Sequence, residues 1–184
     1  MPLFPLTVTV LLVLLHSTSA RKAYMERNPA LQEYQNQSSC FPLEETWHMA
    51  YRNYEFDPAM GYAARCVRYG QTRSGRNGRH PVILTYKPNV VIDLTVTLRS
   101  TPGYTAKNVM NFHPRGCESF LSAYSVYKDN KKGNILRVPY AGEGACALLV
   151  PKSQLGNHSV CCDFIFDLLC GSGTKFNISD SSCP

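Results

Sequence analysis

Eight cysteines in a chain of 184 residues, none of them in the first 39, do most to limit what this sequence can fold into. They are Cys40, Cys66, Cys117, Cys146, Cys161, Cys162, Cys170 and Cys183. An even number of cysteines in an exported chain reads as a disulfide framework. Metal binding is a poor alternative, because there is no Cys-x-x-Cys and no histidine at ligand spacing from a cysteine pair. Cys161 and Cys162 are neighbours, and a bond between them would strain the intervening peptide, so they point to different partners.

The framework requires export, and the N-terminus predicts it. Residues 1–20 contain no Lys, Arg, Asp or Glu, Val8 to Leu15 is almost purely apolar, and the segment ends Ser17-Thr-Ser-Ala20. That is the pattern of a cleaved secretory signal, leaving 21–184 as one extracellular domain. A membrane anchor fits less well: Pro2, Pro5, His16 and the Ser/Thr tail leave only about ten strongly apolar positions. Three sequons, at Asn36, Asn157 and Asn177, suit a glycosylated secreted surface.

The formal net charge is +6. Its densest basic run is Arg73-Ser-Gly-Arg-Asn-Gly-Arg-His80. Gly75 and Gly78 make this run read as a flexible, solvated hairpin loop, with a heparin-like contact as the alternative. Secretion argues against a nucleic-acid partner.

Residues 21–39 are polar, with Leu31 and Tyr34 at helical spacing, and read as a short helix or an extended arm. Strand-like runs follow at 47–54, 63–70, 82–86, 90–98, 104–112, 117–127, 135–140 and 145–150. The clearest is 90–98, where Asp93, Thr95 and Thr97 alternate with Leu94, Val96 and Leu98, the period of a sheet with one wet face. Strands of this number and spacing suggest a sandwich or a closed up-and-down barrel. Asn157 or Ser159 could cap a helix over Val160 to Cys170, stopped by Gly171. Val160, Phe164 and Leu168, with Cys161, Ile165 and Leu169, would form its broad apolar face, opposite Asp163 and Asp167. An eight-stranded antiparallel barrel with that helix packed outside has an interior just wide enough for one small ligand.

Two stretches carry a family resemblance. Tyr51-Arg-Asn-Tyr-Glu-Phe-Asp-Pro58, followed by Gly61 and Cys66-Val67, is similar to the first-strand signature of the tick salivary lipocalins, the histamine-binding protein family. Cys162-Asp-Phe-Ile-Phe-Asp-Leu-Leu-Cys170-Gly171, with Cys183, resembles the family's C-terminal signature. The Gly-x-Trp of ordinary lipocalins is reduced here to Glu45-Thr46-Trp47. The resemblance implies an all-β, eight-stranded lipocalin barrel with a C-terminal helix outside and a short N-terminal helix. It also implies the pairings Cys40–Cys161, Cys66–Cys183, Cys117–Cys162 and Cys146–Cys170.

The resemblance further implies a ligand set. Tyr54 and Asp57 match positions lining one family amine site, and Glu118 stands where a second site often has Asp. Trp47, Met60 and Leu149 complete the candidate ligand-binding residues. Elsewhere the family pattern is lost: the Glu-Leu-Trp of the last strand reads Ala147-Leu148-Leu149, the Trp after Asp-Pro is Met60, and two aromatic positions are Val96 and Leu98. A buried ammonium that loses a charge-assisted partner binds weaker by roughly 2–5 kcal/mol. The more apolar lumen therefore suits a fatty-acid-like eicosanoid, with Arg99, Arg68 or Lys87 as candidate carboxylate partners. Bland readings stand beside these: Trp47 as barrel floor, Asp57 as a cap on the turn before Pro58, and Glu118 as a solvated strand residue.

No Gly-x-Ser-x-Gly, His-Glu-x-x-His or phosphate-cradling glycine loop is present, so no enzymatic activity, cofactor or metal is expected. The leading expectation is a secreted, monomeric scavenger of a small host mediator, an amine such as histamine or serotonin or an eicosanoid, with no membrane contact after signal cleavage. The alternatives are a lipocalin that binds a host complement or haemostasis protein through its loops, and an inert salivary lipocalin or antigenic decoy.

Overall fold

The computed structural model describes residues 24–129 and 132–184; the expected signal segment lies outside them. Eight antiparallel strands run in chain order: β1 (Trp47–Arg52), β2 (Arg68–Gln71), β3 (Arg79–Tyr86), β4 (Val90–Arg99), β5 (Val109–Pro114), β6 (Leu121–Asp129), β7 (Gly133–Arg137) and β8 (Cys146–Pro151). Each pairs with its neighbour in sequence, and β1 pairs with both β8 and β2, which closes the sheet into a barrel.

Alternation decides which residues face inward. In β4, Leu94, Val96 and Leu98 are buried in the barrel, while Asp93, Thr95 and Thr97 face outward, as the period-two pattern requires. In β1, Trp47 and Met49 point in. A bulge between Met49 and Tyr51 then shifts the register, and Tyr51 joins the cluster outside the wall.

The closing seam is completed by the far end of the chain. β1 pairs with β2 only through Trp47 and His48; beyond them its free side takes β9 (Phe176–Asn177), through Tyr51 and Arg52. The strip continues with Ile178 N–H donating to the Ala50 carbonyl and Cys66 N–H donating to that of Ile178. The Cys66–Cys183 disulfide fastens it.

Three short 3-10 turns, Met25–Arg27, Pro29–Gln35 and Gln37–Cys40, take the place of the single N-terminal helix or arm expected there. They seal the end of the barrel at which β1 begins. Gln37 exchanges side-chain hydrogen bonds with Asn134 (3.1 and 2.8 Å) and donates to Ser125 at 2.6 Å, so its buried amide is satisfied.

Helix α1 (Val160–Cys170) packs outside the wall of β1, β7 and β8. Ser159 caps it, its hydroxyl accepting from the Cys161 N–H, and Gly171, at φ 98°, ends it. Its buried row is Cys162, Phe166 and Cys170. The expected face is corrected here: Val160, Phe164 and Leu168 are 81, 66 and 67% exposed. Nearly every side of this helix is apolar, so composition left its rotation open. Contacts fix it: the Cys146–Cys170 bond, the Tyr51 hydroxyl donating to Asp163 at 2.6 Å, and Phe166 edge-on to Tyr51 at 4.8 Å.

Two of the implied disulfides are absent, and the sulfurs of Cys40, Cys117, Cys161 and Cys162 are free. Cys117 lies between β5 and β6, whereas Cys162 packs against Gly133 at the other end of β6, where a Cβ would stand 2.9 Å from its sulfur. Nine strand residues, roughly 30 Å, separate those ends, far beyond disulfide reach. Cys40 faces the barrel floor beside Lys128, while Cys161 sits outside beside Tyr127. Adjacent strand residues point to opposite faces, so the β6 wall lies between these two cysteines.

Candidate functional site

The barrel interior has an apolar floor and a polar mouth. At the floor, Phe41, Trp47, Tyr69, Phe112 and Leu149 surround a cavity of about 40 Å³. That holds a few waters. Gln37 and Asn134 also line it, and their amides satisfy each other.

The mouth is covered by the long connection from β1 to β2, residues 53–67, which folds back on itself. Asp57 and Tyr62 exchange backbone hydrogen bonds at 3.0 and 2.8 Å, and Gly61, at φ 89°, makes the reversal. A Cβ at Gly61 would lie 2.7 Å from Ala64 and 2.8 Å from the Tyr86 ring, so only glycine fits. This turn buries Met60 in the barrel core.

Inside the turn lies a charged cluster that water does not reach. Arg52 and Asp57 are both 0% exposed, with Nη1 and Oδ2 at 3.6 Å. The Tyr54 hydroxyl donates to Asp57 Oδ2 at 2.8 Å, and the N–H groups of Ala59 and Met60 donate to Oδ1 at 3.0 and 2.8 Å. Arg52 Nη2 donates to the carbonyls of Glu55 (2.7 Å) and Tyr62 (2.6 Å), and its guanidinium stands 4.9 Å from the Tyr54 ring centre. Arg52 Nε and Nη1 make no hydrogen bond. Burial, together with Asp57, pushes the Tyr54 hydroxyl pKa far above its ordinary value; Tyr69 and Tyr140, which sense the same two charges, are raised for the same reasons. All three phenols stay protonated and can donate.

The candidate residues are thus split between sites. Tyr54, Asp57 and Met60 meet at the mouth, and Trp47 and Leu149 at the floor. Glu118 is exposed in the β5–β6 connection and is no part of the lumen, which corrects the expectation of a second carboxylate site. Asp57 does cap its turn, and it also faces the interior. Of the cations considered, Arg99 and Lys87 are exposed, and Arg68 bonds Thr85 and the Pro184 carbonyl. At the mouth the inward cation is Arg52, which the sequence reading missed along with Tyr69 and Tyr140. Arg52 follows an outward Tyr51, and only the bulge in β1 explains why it points in.

Comparison with known proteins follows the same lines. The sequence model of the tick histamine-binding protein family matches residues 25–184. No curated protein sequence matches at a significant level. Among solved structures, one titled "Crystal Structure of AM182 Serotonin Complex" is similar with a TM-score of 0.58 at 16% identity, covering 80% of this chain and 90% of that one. At that identity the likeness speaks for the fold.

Proposed function

The chain belongs to the tick histamine-binding protein family, and from that premise we propose that it is a secreted, non-enzymatic scavenger that holds a small host mediator in its barrel. The observation that carries this reading is the buried Arg52–Asp57–Tyr54 cluster set over an apolar floor. A guest with an apolar body and one polar end matches that division. The floor cavity is smaller than any such guest, so a ligand enters by moving Met60 and the 53–67 connection aside.

The cluster discriminates between ligand classes. An ammonium would have to take Asp57 from Arg52 and leave a buried guanidinium unpaired. Breaking such a pair costs about 3–5 kcal/mol, a hundredfold or more in affinity. A carboxylate would instead accept from Arg52 Nε, which makes no hydrogen bond, and share Nη1 with Asp57. A fatty-acid-like eicosanoid is therefore the favoured guest, with histamine and serotonin bound more weakly. Calorimetry with histamine, serotonin and a leukotriene tests the order. Tighter binding of either amine reverses the assignment, and silence with all three removes the scavenger reading.

The small floor cavity favours one alternative, a lipocalin that acts through its loops on a host complement or haemostasis component. Pull-down from host plasma with a stable product, together with silent calorimetry, would select it.

A further inference from the structure

We propose that the outer wall of β3, β4 and β5, with the β2–β3 hairpin, is a docking groove for a sulfated glycosaminoglycan chain. Helix α1 covers the wall of β1, β7 and β8, leaving this wall bare. Along it runs a recess of about 790 Å³ that includes Arg73, Arg79, His113 and Arg115 with the hydroxyls of Thr72 and Thr95. A second recess, about 560 Å³, shares Arg73 and Arg79 and adds Arg76.

The basic run is shaped, contrary to the flexible loop expected from its glycines. Arg76 and Arg79 exchange backbone hydrogen bonds at 3.1 and 3.0 Å around Asn77-Gly78, both residues at positive φ (52° and 69°). This is a two-residue hairpin turn of the kind that Asn-Gly favours. It holds Arg76 and Arg79 together at the mouth of the groove. Strand register does the rest: Pro81 lies opposite Thr95 and Thr95 opposite His113, so the floor spans three strands, roughly 10 Å across.

Four arginines face one carboxylate. Asp93 pairs with Arg115 at 3.4 Å, but their side chains are 54 and 85% exposed. Such a pair is weak, and an incoming anion can open it. Guanidinium groups bind planar or tetrahedral oxyanions through paired N–H donors, and the two threonine hydroxyls add neutral donors. The two recesses share Arg73 and Arg79 and so set a run of cations along the wall, which suits a polyanionic chain better than the flat face of a bilayer. Its rim carries more guanidinium than aromatic surface, unlike the core of a protein interface.

The test uses the mature protein and a heparin-derived octasaccharide, in calorimetry at about 50 mM salt, where surface charge is least screened. Arg73→Gln/Arg79→Gln is expected to weaken binding at least tenfold. The charge-matched Arg27→Gln/Lys132→Gln, two exposed cations away from this wall, is expected to weaken it less than threefold. All four side chains are exposed, so thermal melts should coincide with the parent protein. The fully desulfated octasaccharide should bind at least tenfold more weakly than the sulfated one. Equal losses in the two double variants would mean net charge alone and overturn the proposal. So would equal binding of the desulfated chain, or tighter binding of phosphatidylserine vesicles than of the oligosaccharide.

Discussion

Asp57 illustrates how one side chain serves local and tertiary structure together. It caps its own turn through two backbone N–H groups, accepts from Tyr54, and is, among the described residues, the carboxylate paired with a guanidinium of no solvent exposure. Asp57→Asn keeps the size but leaves Arg52 uncompensated, so urea unfolding should show a loss of about 3–5 kcal/mol. A loss below 1 kcal/mol would mean that the pair relaxes into water. His48 is the second such residue: fully buried, with neither ring nitrogen hydrogen-bonded. Burial, with lesser help from Lys152 and Arg68 and against the pull of Glu45, lowers its pKa from the usual 6.5 to about 4. The unfolded chain therefore binds the proton first. Stability should fall as pH drops from 6.5 to 4, by up to about 3 kcal/mol, and level off below that. In His48→Leu this part of the slope should vanish; parallel urea-midpoint profiles for the two proteins would count against it. Asp57 was legible from its place before Pro58; Arg52 was not, because its facing depends on the bulge in β1, and nor was His48, whose burial on the outer side of β1 no local pattern reveals.

At the scale of elements, the strands were the legible part. Alternation fixed the inward faces of β3 and β4, where Val82, Leu84, Leu94 and Val96 are buried as their spacing requires. The ends of α1 were legible too, from Ser159 and Gly171. Its rotation was not, because Val160, Phe164 and Leu168 are as apolar as the residues that pack. Truncation of each row separates them. Phe166→Ala, in the buried row, should cost about 3–5 kcal/mol. Phe164→Ala, two residues earlier and 66% exposed, should shift stability by less than about 0.5 kcal/mol. Chemical denaturation of the two variants decides the rotation, and reversed costs would turn the helix over.

At the scale of the whole molecule, local periods and capping conveyed the strands and the outer helix, and the resemblance to the family chose the closed barrel over a sandwich. The division of the lumen into floor and mouth was not legible, since it depends on where a 15-residue connection folds back. The covalent framework was legible in part: Cys66–Cys183 and Cys146–Cys170 are formed as the family resemblance implies, and the other two pairings, which depend on distances, are not. The structure leaves four thiols, two of them exposed, Cys117 and Cys161. Burial pushes Cys40 and Cys162 up to about 11, so they are protonated as well as shielded. A thiol reagent at neutral pH should label two sulfurs in the native protein and four after denaturation; no labelling in urea would show that further bonds form. The two existing bonds should differ in worth. Chain entropy assigns about 5 kcal/mol to Cys66–Cys183, across 117 residues, and about 3.5 kcal/mol to Cys146–Cys170, across 24. Paired Cys→Ala variants, compared by midpoint of unfolding, check that order.

The strip that fills the seam beside β1 has a further consequence for biogenesis. A ribosome that has delivered all eight wall strands has still not delivered residues 176–183. Until those emerge, the nascent chain carries an open slit along β1. Closure of the seam therefore waits for that strip, and a chain stalled before residue 176 keeps the slit as a sticky edge.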